Sequence, residues 1–144
     1  MLGDGARSTD EPGSWSFWIK KLDLATGDEI WSIGNEEIAI DDDTKDWIFS
    51  GLAPTSEGVA VLGWRVNKDY KPGLDREETW LAHFDVDGNP RCFAAHGREL
   101  DRLGNGGSTL ADAIVLSSDG RPRASGVIYT GQGFDRWLAG FGGL

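Results

Sequence analysis

The chain contains almost no cysteine: Cys92 is the single one among 144 residues. It therefore forms no internal disulfide, and a metal site built from several cysteines is excluded. Long hydrophobic runs are missing too, since no segment reaches the roughly 18 apolar residues that a membrane helix requires. Residues 1–15, MLGDGARSTDEPGSW, have neither a basic segment nor an apolar core. We therefore expect no signal peptide and no membrane span.

Positive charge is scarce, with 14 Lys and Arg against 24 Asp and Glu and a net charge of −10. This balance disfavours binding to a phosphate backbone, so we expect no nucleic-acid partner, while cations or basic surfaces remain compatible. The same balance also fits plain solubility. The chain is instead rich in Gly (21 residues) and Trp (7 residues). Glycine is costly inside helices and aromatic side chains suit pleated surfaces, so this mixture favours short strands joined by turns.

An aromatic-led pentapeptide occurs three times. WLAHF at 80–84 returns as WLAGF at 137–141, and WIKKL stands at 18–22. When 18–34 is laid over 80–97, Asp23 falls on Asp85 and Gly27 on Gly88, with one residue of slippage. The N-terminal MLG also echoes VLG at 61–63. A repeated unit of about sixty residues, present in about two and a third copies, follows from this alignment. Its leading residues are Trp18, Trp80 and Trp137.

Each unit reads as four short strands. WIKKLDL and WLAHFDV alternate apolar and other residues with the period of a strand, and ATGDE and DGNP supply turn chemistry. Four strands per repeat predict an all-β chain of antiparallel, β-propeller-like blades in an incomplete ring. The single segment 1–144 then divides into a partial blade at 1–34, a full blade at about 47–97 and a partial blade at about 109–144. A β-sandwich whose halves are similar by chance is the alternative.

The stretch KLDLATGDEIW at 21–31 resembles the outer-strand motif of tryptophan-docking, quinoprotein-like blades. Asp23, Thr26, Gly27 and Trp31 match that motif, whereas Lys21 stands where the family has Ala. The resemblance implies that the Trp packs between neighbouring blades and that the Thr-Gly turn bonds to the adjacent blade.

The second copy, HFDVDGNPRCF at 83–93, keeps Asp85 and Gly88 but not the Thr and Trp. It is similar to the looser bacterial propeller repeats of the FDxxGN type. This resemblance implies an extracytoplasmic protein, periplasmic or secreted.

Three connections are long, at 34–46, 65–79 and 97–112. Alternate connections of an up-and-down blade emerge on one face, so we expect the long loops to form a binding face. Its candidate residues are Trp15, Trp64, Glu36 and Asp42. The acidic run at 34–46 also offers oxygen ligands for Ca²⁺, although it lacks the Gly and the distal Glu of an EF-hand-type loop and such a run is most often a solvated segment. The candidate calcium ligands are Asp41, Asp43 and Asp46.

No residue pattern indicates a catalytic centre. His83 lies within WLAHF, on the strand face opposite Trp80, and we expect it to pack between blades. The sequence therefore predicts a non-enzymatic binding or assembly scaffold that meets a protein or glycan through the long-loop face, with no cofactor other than the possible Ca²⁺. Because the ring is incomplete, we expect self-association or membership of a larger propeller. A quinoprotein-like enzyme segment and a glycan-binding lectin are the alternatives.

Overall fold

The computed structural model describes residues 2–8, 15–34, 47–66, 77–96, 108–130 and 133–141. Within these residues the regular structure consists of ten strands without a helix, which confirms the all-β prediction. The strands are β1 Leu2–Ser8, β2 Trp15–Leu22, β3 Glu29–Gly34, β4 Trp47–Thr55, β5 Gly58–Val66, β6 Glu77–Asp85, β7 Pro90–His96, β8 Ser108–Leu116, β9 Pro122–Thr130 and β10 Gly133–Gly140.

The strands form three antiparallel sheets in chain order. The first sheet has the order β1-β2-β3, the central sheet β4-β5-β6-β7 and the last sheet β8-β9-β10. Within each sheet, consecutive strands are neighbours, as in an up-and-down meander. Tight turns join β2 to β3, β4 to β5, β6 to β7 and β8 to β9, so in each sheet they lie at the end opposite to the remaining connections. The predicted long-loop face lies at that opposite end, mostly outside the described residues.

Each leading tryptophan pairs with a glycine on the preceding strand. Gly5 faces Trp18 across β1 and β2, and Gly63 faces Trp80 across β5 and β6. Gly126 completes the series, because it faces the tryptophan of β10. The three pairs place β2, β6 and β10 at equivalent positions in their sheets.

The central sheet is buried on both sides. One side carries Val61 and Trp80 and packs against Ile19 and Ile33 of the first sheet. The other side packs against the last sheet and carries Ala53, Ala60, Leu62 and Leu81. Alternate residues of β6 thus enter different cores, which explains why most of this strand is buried. The three sheets are stacked face to face.

The turn glycines adopt the backbone conformation that the sequence requires of them. Gly27 and Gly88 have φ angles of 78° and 86°, a region that favours glycine. Asp23 and Asp85 open these turns and accept hydrogen bonds from backbone N–H groups two or more residues further on. This Asx geometry explains the Asp and Gly that the two copies share.

Candidate binding face on the last sheet

Most of the predicted site residues lie outside the described residues. This holds for the candidate calcium ligands Asp41, Asp43 and Asp46 and for Glu36 and Asp42. Trp15 begins β2, and Trp64 of β5 is half-buried. Within the described part of the chain, no three His, Cys, Asp or Glu side chains are grouped so that they could hold a metal ion.

Trp31 connects the first sheet to the central sheet. Its indole N–H donates a hydrogen bond to the carbonyl oxygen of Val86 at 3.0 Å, and Lys21 Nζ donates to the same oxygen at 2.7 Å. The ring also lies against Gly88, where a Cβ atom would stand 3.0 Å from it. Thr26 Oγ1 instead accepts a hydrogen bond from the N–H of Asp28 within its own turn. The inter-sheet contact at this turn is therefore made by the Trp and the Lys.

The Asp85 carboxylate stabilises the turn that Trp31 contacts. It accepts hydrogen bonds from the backbone N–H groups of Asn89 and Asp87, both at 2.9 Å, and pairs with the Arg91 guanidinium at 2.9 Å. The hydrogen bond from the Asn89 N–H is the main reason why the pKa of Asp85 lies below its ordinary value. The ionised carboxylate thus fixes the surface on which the first sheet packs.

The outward side of the last sheet is an exposed, largely apolar surface. Trp137 packs toward the central sheet, so its neighbours Arg136 and Leu138 point the other way. Leu138 is 78% exposed and Phe134 is 65% exposed. We call this surface the open face, and its described residues are Leu110, Asp112, Ala113, Val115, Arg123, Ser125, Val127, Tyr129, Phe134, Arg136 and Leu138.

An aromatic pair lies at one end of the open face. Tyr129 of β9 and Phe134 of β10 are direct cross-strand neighbours, and their ring centroids are 6.4 Å apart in a tilted arrangement. At the other end, the Arg123 guanidinium lies beside Gly140, where a Cβ atom would stand 2.9 Å from Nη1. The open face therefore combines exposed apolar area with positive charge, a combination found at recognition surfaces.

The central sheet buries the positions that are equivalent to the open face. The tryptophan–glycine pairs align Leu138 with Leu81, and Val115 with Ala53. Leu81 is 2% exposed because the last sheet covers it, whereas Leu138 is exposed to solvent. The same strand positions are thus buried in one sheet and exposed in the next.

The outward side of the first sheet differs in chemistry. Trp18 is half-buried, and Lys20 Nζ lies 5.4 Å from its ring centroid, within cation–π range. Lys20 also pairs with Glu29, and this hydrogen bond lowers the pKa of the Glu29 carboxyl. Ala82 of the central sheet occupies the position of Lys20, so a buried methyl group there corresponds to a paired ammonium group here. Polar groups adapt this side to water.

A cleft of about 270 Å³ lies between the β4–β5 and β8–β9 turns. Glu57 and Arg121 contribute to its walls, and His83 lies among its lining residues. His83 is 3% exposed, and its Nε2 lies 3.0 Å from Thr55 Oγ1. This burial between two sheets agrees with the predicted packing role, and the Thr55 hydroxyl holds the ring in place.

No family model and no curated protein matches this chain. The propeller resemblance therefore remains a prediction. The described residues also contain no helix that is long and apolar enough to cross a lipid bilayer.

Proposed function

We propose that the chain is a non-enzymatic binding or assembly scaffold made of propeller-type blades. Three observations support this proposal: the sheets are stacked face to face, their leading tryptophans are equivalent, and each of these tryptophans pairs with a glycine. The central sheet has the four antiparallel strands of a blade, and Trp31 contacts the next sheet as the family motif implies.

The assembly role is inferred from the exposure of the open face. Val115 and Leu138 take up positions whose counterparts are buried in the central sheet, yet they are exposed. Covering them with a further β layer would remove apolar surface from water and continue the existing stack. The layer can come from a second copy, from the remainder of a larger propeller, or from another protein.

A pair of leucines tests this role. Leu138 on the open face and Leu24 in the β2–β3 turn are both 78% exposed, so Leu138→Asp and Leu24→Asp change equal side chains at different places. We expect the unmodified chain to show a molar mass above that of one chain in light scattering, increasing with protein concentration. Leu138→Asp should lower this mass toward the single-chain value, while Leu24→Asp should leave it unchanged.

The proposal fails if the chain stays at the mass of one copy at every concentration and hydroxyl-radical footprinting finds the open face equally labelled with and without cell extract. It also fails if both aspartate variants lower the mass equally. Circular dichroism of each variant establishes that its sheets are intact, so that loss of association is not loss of folding.

A further inference from the structure

The way in which the central sheet binds β8 indicates how the open face can bind a strand. β8 lies over the central sheet through Thr109, whose Oγ1 accepts a hydrogen bond from the N–H of Thr79 at 3.1 Å. Thr79 Oγ1 donates in turn to the carbonyl oxygen of Thr109 at 3.3 Å. Ser50 Oγ donates to the carbonyl oxygen of Ala111 at 2.6 Å. An extended strand is thus held by its backbone carbonyls and by one buried hydroxyl.

The open face carries charged groups where the central sheet carries small or neutral ones, and besides two arginines these include Asp112, which occupies the position of Ser50. The register aligns Arg136 with Thr79, and Arg123 with Ala60. Within the described part of the chain, no carboxylate lies within ion-pair distance of the Arg136 guanidinium, whereas the Arg123 guanidinium interacts electrostatically with the Asp119 carboxylate. Arg136 and Arg123 occupy register positions on either side of Leu138 on the open face. Arginine forms paired hydrogen bonds with carboxylates. With Arg136 at the position of Thr79, the preferred ligand is therefore an acid rather than a hydroxyl group.

We propose that the open face binds an extended strand of a partner protein that carries apolar residues and at least one carboxylate, placed across the last sheet as β8 lies across the central sheet. This inference rests on the proposed scaffold function and specifies its partner. Two features of the structure support it. A strand on the open face would continue the existing stack of sheets, and the two guanidinium groups complement an acid. The outward side of the first sheet of a second copy would bring Lys20 toward these arginines, so we expect the acidic strand to bind the open face more tightly than a second copy does.

Peptides copied from β8 test the charge requirement on the full-length chain. The three probes are labelled peptides with the sequence of residues 108–116, STLADAIVL, carrying Thr, Glu or Lys at position 109. Thr109 is the residue that meets Thr79 in the chain, so the peptide residue at this position should meet Arg136 on the open face. Fluorescence anisotropy measures affinity, and amide chemical shifts of β8 to β10 locate the contact.

We expect the Thr109→Glu peptide to bind about tenfold or more tightly than the Thr109→Lys peptide, with the native peptide between them. Arg136→Glu in the chain should reverse this order. Lys20→Glu, which makes the same change of charge on the outward side of the first sheet, should leave the order intact.

The inference is overturned if no peptide binds, if the three bind equally, or if Lys20→Glu and Arg136→Glu act alike. These results leave the scaffold proposal standing when Leu138→Asp still lowers the molar mass, since the open face would then be used by a second copy. If neither peptide binding nor association depends on the open face, both proposals fail.

Discussion

The indole ring of Trp80 lies over Gly63 so closely that a Cβ atom on this glycine would stand 2.5 Å from Cε2. The arrangement recurs in the last sheet, where the corresponding distance from Gly126 to Cε2 of Trp137 is 2.6 Å. In the central and last sheets, a glycine on one strand thus makes room for the tryptophan ring of the next strand. The sheet interfaces are built on this pair, because the buried ring reaches the preceding sheet.

Gly63→Ala should therefore lower the free energy of unfolding by about 2–3 kcal/mol, because its methyl group would overlap both the Trp80 ring and the carbonyl oxygen of Ile48. Gly51→Ala is the matched control, since a Cβ there would meet only ordinary contacts, the nearest being a methyl carbon of Ile114 at 3.4 Å. Urea unfolding followed by tryptophan fluorescence gives both values. If Gly63→Ala and Gly51→Ala lower the free energy of unfolding equally, the contact between Gly63 and Trp80 has no special role.

The sequence predicts the strands and turns well because their signals are local. Alternation around Trp18 and Trp80, and the Asp and Gly of each turn, depend only on neighbouring residues. Which glycine faces the leading tryptophan is harder to predict from the sequence. The match of MLG to VLG equates Gly3 with Gly63, yet Gly3 faces Lys20, and Gly5 is the residue opposite Trp18. The register depends on the length of the connecting hairpin, which differs between copies.

Contacts between sheets are less predictable still. The Thr79–Thr109 hydrogen bonds join residues 30 positions apart, and neither threonine stands out in the sequence. No sequence pattern distinguishes the residues of the open face either. Its residues alternate in the same way as buried ones, and only the order of the sheets leaves Leu138 exposed. Trp31 is the exception, because a recognisable motif surrounds it.

The contact between Trp31 and Gly88 can be measured against a second glycine. Gly27 and Gly88 both have left-handed φ angles, but a Cβ at Gly27 would meet nothing within 4 Å, whereas one at Gly88 would meet the Trp31 ring. Gly27→Ala should cost about 1–2 kcal/mol from backbone strain alone. Gly88→Ala should cost about 1 kcal/mol more.

Trp31→Ala provides the control for this comparison. In that background the two alanine variants should become equal, because the ring that distinguishes them has been removed. A difference that persists in Trp31→Ala would place its cause within the turn rather than between the sheets. Denaturant midpoints of the three single and two double variants decide the matter.

Thr109→Val should destabilise the packing of the last sheet on the central sheet. It removes a buried hydroxyl that accepts from the Thr79 N–H and donates to the carbonyl oxygen of Glu77. The expected loss is about 1–3 kcal/mol of unfolding free energy. Thr109→Ser keeps the hydroxyl and should lose much less. Thermal unfolding compares the two, and a serine variant as unstable as the valine variant would assign the effect to the methyl group instead.

Asp85 should make the stability of the chain depend on pH. Its pKa is lowered in the folded state, so the stabilisation is complete above the unfolded value of about 3.9 and is lost as pH falls through the folded value. Asp85→Asn should therefore be less stable than the unmodified chain at pH 7, with the difference shrinking in acid. Arg91→Gln should retain most of this pH dependence, because the Asn89 N–H has the larger influence on the carboxylate and Arg91 the smallest. Urea unfolding across this pH range measures the difference, and a gap between Asp85→Asn and the unmodified chain that does not narrow in acid would contradict the assignment.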